Sequence, residues 1–213
     1  VGKAIIPTNE IGNKTFSNNL EVINPEFLSS FPKTYSKNRE DINPLAYIYF
    51  TSGSTGEPKG VKVMAKNLLS FLDAMSEHYI FKPGFRASQT FDLSFDPAIS
   101  DIFFTWSNGG VLCVIPENEL MLPFDYIRRE KIQFWNSVPT LGLFMMNLNL
   151  LKENVFPSLI HSTFCGEQFP QKLADTWKLA APNSTVENLY GPTETTIYIS
   201  RYNYVNPTKK FKN

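Results

Sequence analysis

Residues 45–60 read LAYIYF and then TSGSTGEPKG, an aromatic, nearly all-apolar hexapeptide (Leu45 to Phe50) running directly into a polar, glycine-rich decapeptide (Thr51 to Gly60). A short apolar run bounded by turn-forming residues has the composition of a buried strand, and the abrupt change at Thr51 marks its end. Beyond the decapeptide, Leu68, Leu72, Met75 and Tyr79 recur at helical spacing. The stretch therefore predicts a strand, a loop and a helix in succession.

Further along the chain, Gly110 to Ile115, Phe134 to Val138, Ser158 to Phe164 and Val186 to Tyr190 read as more short strands, with a helical stretch around Leu173 to Leu179. Strands alternating with helices predict an α/β sheet with helices packed against it. On the other side, residues 1–44 are rich in Asn, Lys, Ser and Pro and weakly periodic, apart from short apolar stretches such as Ala4 to Ile6. They are expected to form an irregular N-terminal segment, with the folded domain occupying residues 45–213.

Within the decapeptide, Gly53, Gly56 and Gly60 permit tight turns and close backbone approach to a ligand, and Thr51, Ser52, Ser54 and Thr55 supply hydroxyl donors. Lys59 adds one mobile positive charge on an arm stiffened by Pro58. Such a loop suits a polyphosphate, held by many donors and partly neutralised. The plainer alternative is a polar hairpin rich in Gly and Ser. A Walker A reading fails on spacing, because that motif places its lysine directly after a glycine and before Ser or Thr, whereas Pro58 precedes Lys59 and Gly60 follows it.

Composition narrows the function classes. Among 213 residues, 20 Lys and Arg balance 20 Asp and Glu, so no global field favours a polyanion, and the run Lys209, Lys210, Lys212 reads as a solvated terminus. Cys113 and Cys165 both sit in apolar stretches, where a buried reduced thiol is the default. Cys165 lies four residues after His161, but the two His and two Cys of the chain lack paired metal-ligand spacing, and nothing beyond His161 would activate the thiol. The longest charge-free stretch, Gln133 to Leu151, is interrupted by Asn136, Ser137, Pro139, Asn147 and Asn149 too often for a bilayer span. No signal-peptide pattern opens the chain, so a cytoplasmic location is expected. A start at Val1 rather than Met suggests a piece of something longer.

TSGSTGEPKG closely resembles the phosphate-loop signature of the adenylate-forming (AMP-binding) ligases, the superfamily of acyl-CoA synthetases and of the amino-acid adenylation domains of nonribosomal peptide synthetases. NLYGPTETT (Asn188 to Thr196) resembles the adenine- and magnesium-binding segment of the same family, and FCGEQ (Phe164 to Gln168) resembles its short Gly-Glu element along the nucleotide. The resemblance covers roughly residues 45–200. It implies a mixed, largely parallel sheet flanked by helices, part of the large N-terminal domain of such a ligase, with ATP and Mg²⁺ as cofactors.

What the resemblance implies residue by residue is as follows. Thr51, Ser52, Gly53, Ser54, Thr55, Gly56 and Lys59 would hold the β- and γ-phosphates, and Gly166, Glu167, Asn188 and Leu189 would lie along the nucleotide. Tyr190 would stack on adenine beside the Gly191–Pro192 turn, Thr193 would contact the α-phosphate and Glu194 would hold Mg²⁺. Lys59, Thr193 and Glu194 are thus the expected catalytic residues.

The stretch QTFDLSFDPAISDIF contains two Phe-Asp pairs, and the pattern of the amino-acid-activating branch fits Phe95 to Phe103, which selects Asp96 over Asp92 as the amino-group ligand. A helix-capping or turn aspartate beside Pro97 is the plainer reading of Asp96. By the same comparison Pro97, Ser100, Asn136, Thr163, Cys165, Leu189, Ile197 and Tyr198 would line the side-chain pocket. FCGE resembles in particular the D-alanine-to-carrier-protein ligases, which suggests a small amino acid.

The expected function is ATP-dependent activation of a small amino acid as an aminoacyl-adenylate, for transfer to the phosphopantetheine thiol of a carrier protein. Two alternatives stay open: an acyl-CoA-synthetase-type ligase for an acid without an amine, and a non-catalytic nucleotide-binding remnant. The ribose-binding aspartate, the hinge and the small C-terminal domain of the family have no counterpart in the sequence. The chain therefore reads as the central part of the large domain, with little or no turnover expected from these 213 residues alone.

Overall fold

The computed structural model describes residues 2–5, 20–23, 44–51 and 57–204. The chain divides into two compact units, Val1–Glu40 and Asp41–Asn213. In the first, β1 (Gly2–Ile5) and β2 (Leu20–Ile23) pair in parallel, Gly2 opposite Leu20 and Ile5 opposite Ile23. The N-terminal stretch expected to be mostly irregular thus contains two short strands.

In the second unit, the apolar hexapeptide does form a strand, β3 (Leu45–Thr51), but not a buried one. It pairs antiparallel with β4 (Lys59–Met64) in a two-stranded ribbon. Successive side chains of a strand face opposite ways, and a ribbon with one covered face leaves every second residue in solvent. Tyr47, Tyr49 and Thr51 are accordingly half-buried while Ile48 is 44% and Phe50 is 73% exposed. The sequence KGVKVM, expected to be loop leading into helix, is a strand because Val61 and Val63 alternate with lysine at period two. Helix α1 (Ala65–His78) follows directly.

The main sheet has six strands. In chain order they are β5 (Arg86–Gln89), β6 (Val111–Val114), β7 (Phe134–Ser137), β8 (His161–Cys165), β9 (Thr185–Tyr190) and β10 (Ser200–Asn203). Their spatial order is β10-β9-β8-β7-β5-β6, all neighbours parallel except the antiparallel edge pair β9–β10. Between them run α2 (Pro97–Ser107), the short helices α3 (Glu117–Leu120) and α4 (Phe124–Arg129), then α5 (Pro139–Asn147) and α6 (Gln171–Ala180). This is the mixed, largely parallel α/β architecture that the sequence implied.

The sheet is the middle of three layers. On one face Ile127, Trp135, Leu141, Phe164, Leu173 and Trp177 join α4, α5 and α6 to the strands; on the other, Leu72, Met75, Tyr79, Phe104 and Phe134 join α1 and α2. Adjacent residues Phe134 and Trp135 pack into opposite layers, as the period of two requires. Strand order places the site. From β5 the chain moves outward to β6 and then returns to the other side of β5 as β7, so the connections diverge between β5 and β7. In an open parallel sheet such a switch point leaves a crevice at the carboxyl ends of the strands. No helix among the described residues is long and apolar enough to cross a membrane.

Candidate functional site

A cleft of about 900 Å³ occupies that crevice. Its lining comes from residues at or just past the carboxyl ends of four strands: Thr90 and Phe91 after β5, Val138 after β7, Cys165 and Gly166 at β8, Tyr190 and Gly191 at β9. Asp96, Glu167, Asn188, Leu189, Pro192, Ile197 and Tyr198 also face it. A volume of this order is large enough for a nucleotide and a small second substrate.

Seven of the expected nucleotide residues, Gly166, Glu167, Asn188, Leu189, Tyr190, Gly191 and Pro192, thus meet in one place, whereas Thr51, Lys59, Thr193 and Glu194 are not part of its lining. Tyr190 is 67% exposed and borders the cleft. Asn188 presents a buried Oδ1 with no hydrogen-bond partner. Gly166 has φ +82°, a conformation that glycine alone adopts freely, and it turns the chain out of β8 beneath the cleft. Glu167 does something the sequence did not show. Its carboxylate accepts hydrogen bonds from the Thr140 backbone amide (3.1 Å) and the Thr140 hydroxyl, at the start of α5. It therefore neutralises two donors at a positive helix end as well as lining the cleft.

Ser52, Gly53, Ser54, Thr55 and Gly56 lie outside the described residues. The ends of that loop are described: Thr51 and Lys59 are register partners across the ribbon, so the connection 52–58 closes on an exposed Lys59. The strand beginning at Lys59 packs beside the 3₁₀ turn Thr193–Thr195. The two distant motifs thus belong to adjoining elements.

Asp96 stands where those elements converge. It occupies the N-cap position of α2 but makes no capping hydrogen bond, so its carboxylate is not used to start the helix. It is 9% exposed, and its Oδ2 has no partner. Burial raises its pKa; the Thr193 side chain and the Ile197 backbone oppose that shift, and the Glu194 charge adds to it. Tyr47 and Tyr49 of the ribbon have their hydroxyl pKa values raised by burial and then by the Asp96 charge. Tyr49 Oη donates to the Leu93 carbonyl at 2.8 Å, which docks the ribbon over the loop carrying Asp96. The rival Asp92 also borders the cleft but is exposed; the Ser94 side chain and then the Ser94 amide, which donates to Asp92 Oδ1 at 2.8 Å, lower its pKa.

The residues expected to line the side-chain pocket fall into two shells. Cys165, Leu189, Ile197, Tyr198 and Pro97 line the cleft. Asn136, Ser100 and Thr163 do not: they are 2%, 1% and 0% exposed and lie beneath it. Asn136 is fully engaged. Its Nδ2 donates to Asp101 Oδ1 (2.7 Å) and to Tyr198 Oη (3.2 Å), and its Oδ1 accepts from Thr163 Oγ1 (2.9 Å). Its amide supports the pocket instead of touching a ligand. Asp101 anchors this network, and its burial pushes its pKa well up.

Cys165 carries no catalytic signature. Burial raises its thiol to about 12, Tyr198 shares its hydrogen bond at 3.2 Å, and both cysteines are free. His161 Nδ1 is paired with Thr185 Oγ1 at 2.6 Å. Among the described residues no group of three His, Cys, Asp or Glu side chains is placed to hold a metal by itself. Glu194, exposed at the 3₁₀ turn, offers one hard carboxylate, which fits a Mg²⁺ ion whose other ligands are phosphate oxygens and water.

Comparison with known proteins identifies the family and the fold. A L-proline–[L-prolyl-carrier protein] ligase of Pseudomonas fluorescens is 38% identical over 156 residues, 72% of this chain and 31% of that protein. A D-alanine–D-alanyl carrier protein ligase of Bacillus licheniformis is 32% identical over 157 residues, again 72% of this chain and 31% of the relative. The chain therefore spans about a third of the length of these curated relatives. Among solved structures, the Vibrio cholerae adenylation domain AlmE, in complex with glycyl-adenosine-5'-phosphate, superposes with TM-score 0.79 at 31% identity, covering 89% of this chain and 36% of that one. The AMP-binding enzyme family matches residues 6–212, and the chain belongs to that family.

Proposed function

We propose that the chain is the nucleotide- and amino-acid-holding part of an ATP-dependent ligase that activates a small amino acid as its adenylate and passes the acyl group to a carrier-protein thiol. The observation that carries this reading is Asp96: a buried carboxylate with an unpartnered oxygen, lining the cleft and beside Thr193 and Glu194. An unpartnered acceptor in that position suits a substrate ammonium group, a charge-assisted contact. The relatives act on proline and D-alanine, and AlmE holds a glycyl group, all small. Both of those ligases charge a carrier protein, which supports a carrier-protein thiol as the acceptor here.

Adenylation is in-line displacement, and the protein's part is positioning and charge. Asp96 would fix the amine, so that the carboxylate of the amino acid points toward Thr193. Thr193 would orient the α-phosphate by its hydroxyl, while Lys59 and the loop 52–56 would bind the leaving pyrophosphate. Tyr190 would stack on the base and the buried Asn188 Oδ1 would accept from its exocyclic amine. Glu194 and the phosphate oxygens would hold Mg²⁺, which neutralises charge on the phosphates. An ATP-consuming site with two unpaired buried thiols suits the cytoplasm.

The test is binding of non-hydrolysable sulfamoyl-adenosine mimics of the adenylate. The alanyl mimic is expected to bind roughly tenfold to hundredfold more tightly than the propionyl mimic, which lacks only the amine. Asp96→Ala should erase the difference. Equal binding of the two mimics by the unaltered chain contradicts the amino-acid reading and leaves the acyl-CoA-synthetase-type alternative.

A further inference from the structure

The covered face of the β3–β4 ribbon carries two tyrosines whose hydroxyls fare differently. Residues two apart in a strand share a face, and the rings of Tyr47 and Tyr49 meet edge to face with 5.2 Å between centroids. The Tyr49 hydroxyl donates to the Leu93 carbonyl at 2.8 Å. The Tyr47 hydroxyl is shut off from solvent and has no hydrogen-bond partner among the described residues. Docking of the ribbon accounts for one hydroxyl and leaves the other.

A buried hydroxyl without a partner loses its hydration and gains nothing in return, whereas phenylalanine would fill nearly the same space without that loss. Retention of the oxygen calls for a use. The charge that reaches it is that of Asp96, which raises the pKa of both hydroxyls after burial has done so. Asp96 Oδ2 is likewise buried and unpartnered. A donor and an acceptor, both orphaned, thus share one water-poor corner between the ribbon and the start of α2.

Two differences fix the direction of action. Tyr47 does not line the cleft and Asp96 does, so the hydroxyl acts on a ligand through that carboxylate. Burial opposes the Asp96 charge, and the Glu194 charge adds to the opposition. An ammonium group in the cleft favours the charge, and a phenol donates more strongly to a carboxylate than to a neutral acid. One carboxylate oxygen offers two acceptor sites, enough for the phenol and the ammonium group together.

We propose that Tyr47 is a positioning residue for the substrate amine: when an amino acid enters the cleft, the Tyr47 hydroxyl donates to Asp96 Oδ2 and fixes that carboxylate for the ammonium group. The proposal rests on the amino-acid-ligase reading of the cleft. It also joins the two halves of the site. Strand β3 ends at Thr51, the first residue of the candidate phosphate loop, so recognition of the amine and placement of that loop depend on one docked ribbon.

The test is calorimetric binding of the alanyl- and propionyl-sulfamoyl-adenosine mimics, which differ by the amine, from about pH 5 to 7. It uses the whole chain and its Tyr47→Phe, Tyr49→Phe and Asp96→Ala variants. The titratable groups around Asp96 are Tyr47, Tyr49, Glu194 and Cys165; burial raises both phenols and the thiol, which stay neutral over this range. In the unaltered chain the preference for the alanyl mimic should grow with pH as Asp96 ionises, and Asp96→Ala should abolish that growth. Tyr47→Phe should lower the preference at least about fivefold near neutral pH and move its midpoint to higher pH, because the carboxylate has lost a donor. Tyr49→Phe, which loses only the docking contact, should weaken both mimics alike and leave the midpoint in place. Adding Tyr47→Phe to Asp96→Ala should change the preference no further. An unchanged preference or an unmoved midpoint in Tyr47→Phe, or an equal fall in Tyr49→Phe, overturns the proposal and leaves the ligase reading intact. If Tyr47→Phe does not fold, 3-fluorotyrosine at position 47, a stronger donor of nearly the same shape, decides: the preference must rise. Equal binding of both mimics by the unaltered chain overturns the ligase reading, and the proposal with it.

Discussion

Two buried carboxylates in one small region make the site sensitive to pH. Burial raises the pKa of both Asp96 and Asp101 above the ordinary aspartate range, Asp101 the more strongly. The native state therefore holds these protons where the unfolded chain has released them. Stability contributed in this way is complete below about pH 4 and is lost as pH rises through the raised native values. Asp101→Asn keeps an acceptor for Asn136 and removes the ionisation. The melting temperature of Asp101→Asn relative to the unaltered chain should therefore rise as pH goes from about 4 to 8; a constant difference across that window argues that Asp101 is not the group responsible. Gly191 is a second residue whose identity is dictated locally. A Cβ there would come within 2.5 Å of the Ile197 carbonyl oxygen and 2.7 Å of Tyr198 Cα, both backbone. Gly191→Ala must push away the 196–199 turn that carries Tyr198, at about 1–3 kcal/mol, and should lower the melting temperature by roughly 5 °C. A melting temperature unchanged within a degree would show that the 196–199 turn yields freely.

Among the elements, those legible in the sequence are the ones whose composition is set by a single environment. β7 and β9 were legible as short strands because interior strands of a parallel sheet are largely covered on both faces, whereas β6, at the sheet edge, is recognised from its apolar run although Val111 and Val114 are exposed. β5 escaped notice because it is RASQ: Ala87 and Ser88 are small and buried, Arg86 reaches out to Glu130, and the Arg86 amide donates to Gln133 Oε1. β3 was legible as a strand and misleading about burial, since a run of aromatics records affinity for a covering surface without saying which face is covered. The site divides likewise. Motif residues within one loop, such as Tyr190, Gly191 and Thr193, share a reading at short range. The Asp101–Asn136–Tyr198 network joins residues 35 and 62 positions apart, and no local pattern announces it. Helix α5 offers a test at this scale. Its first turn relies on Glu167, which lies 27 residues from Thr140. Glu167→Ala should cost about 1 kcal/mol, seen in thermal melts, and Glu167→Gln, which keeps an acceptor but removes the charge, should cost a fraction of that. Equal losses would mean that packing, not capping, is what Glu167 supplies.

At the scale of the whole molecule, the candidate phosphate loop is carried by a lightly supported part of the second unit. Strands β7 and β8 are interior to a six-stranded sheet with helices on both faces, and Trp135, Ser137, Thr163 and Phe164 are almost wholly buried. The β3–β4 ribbon has two strands, one solvated face and a docking contact through Tyr49 and Leu93. A two-stranded hairpin is marginal on its own, and local opening free energies are lowest where buried apolar contact is sparse. Amide hydrogens of β3 and β4 are therefore expected to exchange at least tenfold faster than those of β7 and β8 under native conditions. That low stability would also make the ribbon responsive. Thr51 and Lys59 close the loop at its base, and a nucleotide bridging Lys59 and the neighbouring Thr193–Thr195 turn would stabilise the closed ribbon by mass action. Saturating ATP with Mg²⁺ should then slow exchange in β3, β4 and the Thr193–Thr195 turn while leaving β7 unchanged. Protection spread evenly over all strands would point to global stabilisation, and protection absent from the ribbon would remove Lys59 from the phosphate-binding set.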